Sequence, residues 1–127
     1  HEHALRLYEL RYGRQHETIA RSLAYLSQVY LRQGKTDWAI SSCRESLNIY
    51  FHVLGADNFL TASQMNSLAM LYELTGKAPQ ARVLMERSLK SLRKSLPDNH
   101  PSIVAVSNNL ARLNQLHPLP EQPSEGK

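Results

Sequence analysis

Apolar residues recur along this chain in steps of three and four, and nowhere alternate as a strand would. Ala39, Cys43, Leu47, Tyr50 and Leu54 advance by 4, 4, 3 and 4, and Ala81, Met85, Leu89, Leu92 and Leu96 repeat those steps. Such spacing lines up one side of an amphipathic helix. The segments before them behave alike, with Leu23, Leu26, Val29 and Tyr30 in one and Met65, Leu68, Leu71 and Tyr72 in the other. The pattern predicts helices over residues 1–12, 17–33, 37–54, 59–75, 79–95 and 101–116.

These helices share one register of 42 residues. Tyr30 maps to Tyr72, Gly34-Lys35 to Gly76-Lys77, Ala20 to Ala62, Leu26 to Leu68 and Leu110, Ala39 to Ala81, Ser46 to Ser88, and Gly13 to Gly55. A period of this size means that each unit is a supersecondary element completed by stacking on its neighbours. The predicted fold is therefore all-α, a right-handed helical-repeat solenoid of antiparallel helix pairs. It occupies residues 1–116, with a partial repeat at 1–12, full repeats at 17–54 and 59–95, and a terminal capping helix at 101–116.

Turn chemistry marks the boundaries. Gly34 and Gly76 stand where a helix ends on a residue of positive φ, and Pro79 suits a first turn that needs no backbone N–H. Between units, Leu54-Gly55-Ala56-Asp57-Asn58 and Leu96-Pro97-Asp98-Asn99-His100-Pro101 supply a break followed by N-capping residue types. Residues 117–127 carry three prolines and read as a disordered tail. Residues 1–12 form a second helix without its first, so further repeats are expected upstream of His1.

Composition changes this picture little. The chain has 127 residues, 42% hydrophobic and 20% charged, with no apolar run long enough for a membrane span. Cys43 is the only cysteine, which rules out an internal disulfide and makes a reducing, cytoplasmic location the simpler expectation. It lies on the apolar side of its helix and reads as a small core residue. A net charge of +4 raises the expectation of an acidic partner, but it is too small and too scattered to indicate nucleic acid.

Leu68-Ala69-x-x-Tyr72 with Gly76 four residues on, then Ala81-x-x-x-Met85, resembles the tetratricopeptide repeat. The longer period, the Asp-Asn-His-Pro segment and Asn108-Asn109-Leu110-Ala111 are similar to the variety found in kinesin light chains. HEAT and armadillo units share the period, but not this Tyr and Gly-Lys register. Asn114 departs from the pattern where Tyr30 and Tyr72 call for a third aromatic, as a closing helix with a water-facing side would.

The resemblance implies a protein–protein interaction module, an adaptor or scaffold whose first helices line a concave groove. Carried over by register, the groove residues are Arg21, Tyr25, Gln28 and Arg32, then Ser63, Asn66, Ser67 and Met70, then Asn108, Asn109 and Arg112. Three arginines with no clear carboxylate among them suit an extended acidic peptide, its backbone held by the amides. The alternative is a structural unit that stacks or self-associates through the apolar stripe of its N-terminal helix.

Other residues carry less. His1, His3 and His16 lack the supporting ligands of a metal site, and no cofactor is implied. Trp38 reads as packing between units. Arg82, Arg87, Lys90, Arg93 and Lys94 read as a solvated convex face. Without a phosphate loop, an activated nucleophile or paired carboxylates, the chain is not expected to be an enzyme.

Overall fold

A computed structural model describes residues 2–118, with side chains from residue 16 onward. It contains α1 (Glu2–Arg32), α2 (Thr36–Leu54), α3 (Phe59–Leu74), α4 (Ala78–Arg93) and α5 (Pro101–Leu116). Every regular element among the described residues is an α-helix. Each helix packs against the next in chain order, which is the layout of a helical-repeat solenoid. The tail expected at 117–127 lies outside the described residues beyond Pro118.

The turns follow from the glycines. Gly34 and Gly76 have φ of 78° and 79°, the left-handed region in which a side chain is disfavoured. Each closes its helix with the same pair of bonds. The Gly34 and Lys35 N–H groups donate to the Leu31 and Tyr30 carbonyls at 3.0 and 2.9 Å, and Gly76 and Lys77 donate to Glu73 and Tyr72 at 3.2 and 2.8 Å. This is a Schellman turn, used twice at one register. Across the junctions between units, α3 and α5 are opened by side chains: Asn58 accepts from the Leu60 N–H at 2.9 Å, and the His100 ring from the Ser102 N–H at 3.1 Å.

Small residues let the paired helices approach closely. Ala20, Ala39, Ala62 and Ala81 are fully buried. Ser46 donates its hydroxyl to the Ala20 carbonyl at 2.7 Å, and Ser88 repeats the bond to Ala62 at 2.7 Å. A third hydroxyl, Ser27, donates to the Ala39 carbonyl at 2.7 Å. Each of these three hydroxyls is thereby satisfied while it pins one helix to its partner. Two apolar clusters fill the space between units. Ala39, Ile40 and Cys43 of α2 meet Leu68 and Leu71 of α3, and Met85, Leu89 and Leu92 of α4 meet Ile103, Val106 and Leu113 of α5.

Three expectations are corrected. Residues 1–12 and 17–33 do not form separate helices, because α1 runs unbroken through residues 13–16. Gly13-Arg14-Gln15-His16 has neither the Asp-Asn pair nor the proline of the later junctions, and one interior glycine costs a helix only about 1 kcal/mol. Arg82 is not on a solvated face. It is 8% exposed, its Nε donates to Asn114 Oδ1 at 2.7 Å, and its Nη2 donates to the His117 carbonyl at the end of α5. Asn114 accordingly faces a buried guanidinium rather than water, and the charge sits favourably at a helix C-terminus. Trp38, finally, does not bridge units. It is 56% exposed, packs edge-on against Tyr30 of its own repeat at 5.4 Å, and lies under the Lys35 ammonium at 4.8 Å.

Candidate functional site: an apolar groove between first helices

The first helix of each unit presents one side to its own second helix and another to the first helix of the next unit. Between α1 and α3 this leaves a cavity of about 610 Å³. Ala24, Gln28 and Leu31 line it from α1, and Gln64, Ser67, Met70, Leu71 and Leu74 from α3. Ser27 and Cys43 form its floor, and Glu73, Arg112 and His117 stand at the end nearest α5. Leu31, Met70 and Leu74 are 37%, 42% and 67% exposed, an unusual amount of apolar surface for so short a wall.

Cys43 is buried and its Sγ lies 3.6 Å from the Gln64 Oε1. Burial pushes its thiol up to about 12, against a small opposing effect of the Ser27 hydroxyl. It stays a neutral thiol at physiological pH and lines the floor as a small hydrophobe.

Charge gathers at one end only. Arg112 Nη2 lies 2.6 Å from Glu73 Oε1, with Glu73 the more enclosed partner. On α1, Arg21 Nη2 is 4.0 Å from Glu17 Oε1, one helical turn away. The expected row of arginines without carboxylates is thus corrected, since two of the three already face an acid.

Of the residues expected in the groove, Gln28, Ser67, Met70 and Arg112 line this cavity. Asn109 joins its rim, with Nδ2 3.8 Å from Met70 Sδ. Ser63 and Asn66 line a second cavity, of about 190 Å³, between α3 and α5. There the Asn66 Oδ1 is buried without a hydrogen-bond partner among the described residues. Arg21, Tyr25, Arg32 and Asn108 line neither cavity. Sequence reasoning missed Leu31, Leu74, Gln64 and Glu73. The lining face of α3 is turned toward α1 relative to the face expected, and the visible signal was that Leu31 and Leu74 are apolar outside the stripe that packs the core.

A family model for the tetratricopeptide repeat matches residues 29–94, just over half of the chain. The chain belongs to the tetratricopeptide repeat family. Such repeats are protein–protein interaction scaffolds. Among curated proteins, a clustered mitochondria protein homolog from Vanderwaltozyma polyspora is 30% identical over 102 residues, which are 77% of this chain but 8% of that protein. The tetratricopeptide stack therefore spans a small part of the relative it matches. The crystal structure of BtubC (BKLC) from P. vanneervenii superimposes with a TM-score of 0.73 at 22% identity, over 78% of this chain and 39% of that one. The nearly identical TPR-like repeats of a putative kinesin light chain from Podosopora anserina give 0.71 at 25% identity, over 76% and 46%. The long tetratricopeptide unit is thus shared with kinesin light chain-like proteins. No helix among the described residues is long and apolar enough to cross a membrane.

Proposed function

We propose that the chain is an adaptor segment that holds an extended peptide along its inner face, with one large apolar side chain of the ligand filling the cavity between α1 and α3. The observation that carries this reading is the cavity itself. It has the volume of a ligand pocket and an apolar wall of Leu31, Met70, Leu71 and Leu74. Gln28, Gln64 and Ser67 stand among these residues as hydrogen-bonding partners for a peptide backbone. An acidic residue next to the anchor would share Arg112 with Glu73. Ser63 and Asn66 in the second cavity extend the same track, where the buried Asn66 carbonyl oxygen can accept an N–H from the ligand. A single buried thiol fits a protein of the reducing cytoplasm. The role is binding rather than catalysis.

The test is fluorescence anisotropy with a labelled peptide in which one tryptophan is flanked by glutamates. Saturable binding that falls at least tenfold in Leu74→Glu and Met70→Glu supports the groove. Arg112→Glu is expected to cost less, about threefold to tenfold, because the native arginine already shares its charge with Glu73. Binding that ignores Leu74→Glu and Met70→Glu overturns the proposal.

A further inference from the structure

The cavity of about 190 Å³ between α3 and α5 differs in kind from the apolar groove. Exposed Ser63 and Ala105 flank its mouth, half-buried Asn66 and Ser102 form its walls, and buried Ser88 and Leu92 close its floor. One period earlier, the positions of Asn66, Leu92 and Ser102 carry Ala24, Tyr50 and Leu60. Relative to that interface, two large apolar side chains are cut back and an amide stands in place of a methyl group. The amide is unsatisfied. Asn66 Oδ1 is buried with no hydrogen-bond partner among the described residues, and the Ser88 hydroxyl on the floor already donates to the Ala62 carbonyl at 2.7 Å. A buried acceptor left without a donor is costly, so space and an unmet acceptor at one place point to a ligand group that brings its own N–H.

We propose that this cavity is a second subsite of the groove and takes a primary amide, the side chain of a glutamine or asparagine in the bound peptide. This assignment rests on the groove being a peptide site, as proposed above. The ligand's NH2 group donates to Asn66 Oδ1, and its carbonyl oxygen accepts from the Ser63 or Ser102 hydroxyl. Other side chains fit less well. Neither a cation nor a carboxylate lines the cavity, so a charged side chain would be buried without a counter-charge, and an apolar one would leave Asn66 Oδ1 unpaired. Spacing along α3 sets the position of the amide in the ligand. Ser63 and Asn66 precede Met70 and Leu74 of the larger cavity by seven and eight residues, a rise of roughly 10–12 Å at about 1.5 Å per residue. An extended peptide advances about 3.3 Å per residue, which puts the amide about three or four residues from the apolar anchor.

The test compares two labelled peptides by fluorescence anisotropy, each with one tryptophan flanked by glutamates. One carries glutamine and the other alanine at the third and fourth positions on either side of the tryptophan. The glutamine peptide is expected to bind about fivefold more tightly or better, the worth of one hydrogen bond to a buried acceptor. Asn66→Leu removes that acceptor, and Ser102→Leu refills the cavity with the residue type of Leu60. Each is expected to bring the two affinities within about twofold of one another. Both positions are only half-buried, and a folding defect in one variant leaves the other to decide. Leu74→Glu is expected to weaken both peptides and keep their ratio. Equal affinities in the parent chain, with both lost in Leu74→Glu, overturn the amide subsite and leave the groove standing. A glutamine preference that survives both Asn66→Leu and Ser102→Leu overturns it as well. Binding that ignores Leu74→Glu, or no binding of either peptide, overturns the groove reading and the subsite with it.

Discussion

Arg82 and Asn114 stand one period after Ile40 and Tyr72, so the molecule contains its own apolar version of this polar contact. Ile40 and Tyr72 pack in the cluster between α2 and α3, whereas Arg82 donates to Asn114 Oδ1 at 2.7 Å between α4 and α5. Arg82→Ile removes two hydrogen bonds from a charged donor, each contributing about 1.5–3 kcal/mol where it is shielded from water. The exposed His117 carbonyl returns to solvent on release, so the main loss falls on the half-buried Asn114, and burial of isoleucine offsets part of it. The expected cost is about 2 kcal/mol, a fall in Tm of roughly 10 °C for a domain of this size. Adding Asn114→Tyr rebuilds the Ile40–Tyr72 arrangement, and the double variant is expected to regain more than half of the loss. Urea unfolding followed by circular dichroism at 222 nm over the four-member cycle gives the coupling. A coupling above about 1 kcal/mol is expected, and single effects that add to within about 0.5 kcal/mol refute the reasoning.

Gly34→Ala is expected to lower stability by about 1–2 kcal/mol in the same urea assay, since an added Cβ meets nothing within 4 Å and the cost is the positive φ alone. A cost below about 0.3 kcal/mol would mean that the turn relaxes. Cys43 is expected to react with a disulfide reagent at pH 8 at least a hundredfold more slowly in the native protein than in 6 M guanidinium, because burial both hides the thiol and keeps it protonated. Equal rates would show that the groove floor opens freely. The carboxyl of Asp57 is held below its ordinary value by the hydrogen bond from Lys94, at 3.1 and 3.2 Å to its two oxygens. A depressed folded value gives stability that is present above the unfolded carboxylate range and lost as pH falls through the folded one. Lys94→Met is therefore expected to raise the Asp57 titration midpoint seen by NMR, and an unmoved midpoint would remove Lys94 as its cause.

The fold was legible because its determinants are local and written more than once. Gly34 and Gly76 end helices in the same way, Ala20 and Ala62 sit at the same close crossings, and Ser46 and Ser88 make the same bond. A reader who finds the period needs no long-range contact to place the helices. The continuity of α1 was missed for the opposite reason. Gly13 shares a register with Gly55, but a glycine does not stop a helix unless a following residue competes for the backbone, as Asn58 does. Arg82 was misread because a charged residue beside other cations on a helix looks solvated. Its partners, Asn114 and the His117 carbonyl, lie 32 and 35 residues further along the chain.

The groove shows where register stops being informative. Repeats specify which helix faces inward, and that much carried Gln28, Ser67, Met70 and Arg112 to the cavity. Electrostatics at the cavity depends on which side chains meet across units, and no period encodes it. Glu73 lies 39 residues from Arg112, short of a full repeat, so the pair joins different register positions and exists only once. Its consequence is specific. A wall of free arginines would attract any acidic segment, whereas an arginine already bonded to a carboxylate at 2.6 Å must exchange one acid for another, and gains little from doing so. Discrimination then falls to the apolar wall, where filling a cavity of about 610 Å³ removes Leu31, Met70 and Leu74 from water at about 25 cal/mol per Å². Affinity for a groove ligand is accordingly expected to vary more steeply with the size of its apolar anchor than with its number of acidic residues. A peptide series that varies the two independently, titrated at low and at physiological salt, decides the matter. Affinity that follows acidic count and collapses with salt would return the site to the electrostatic reading.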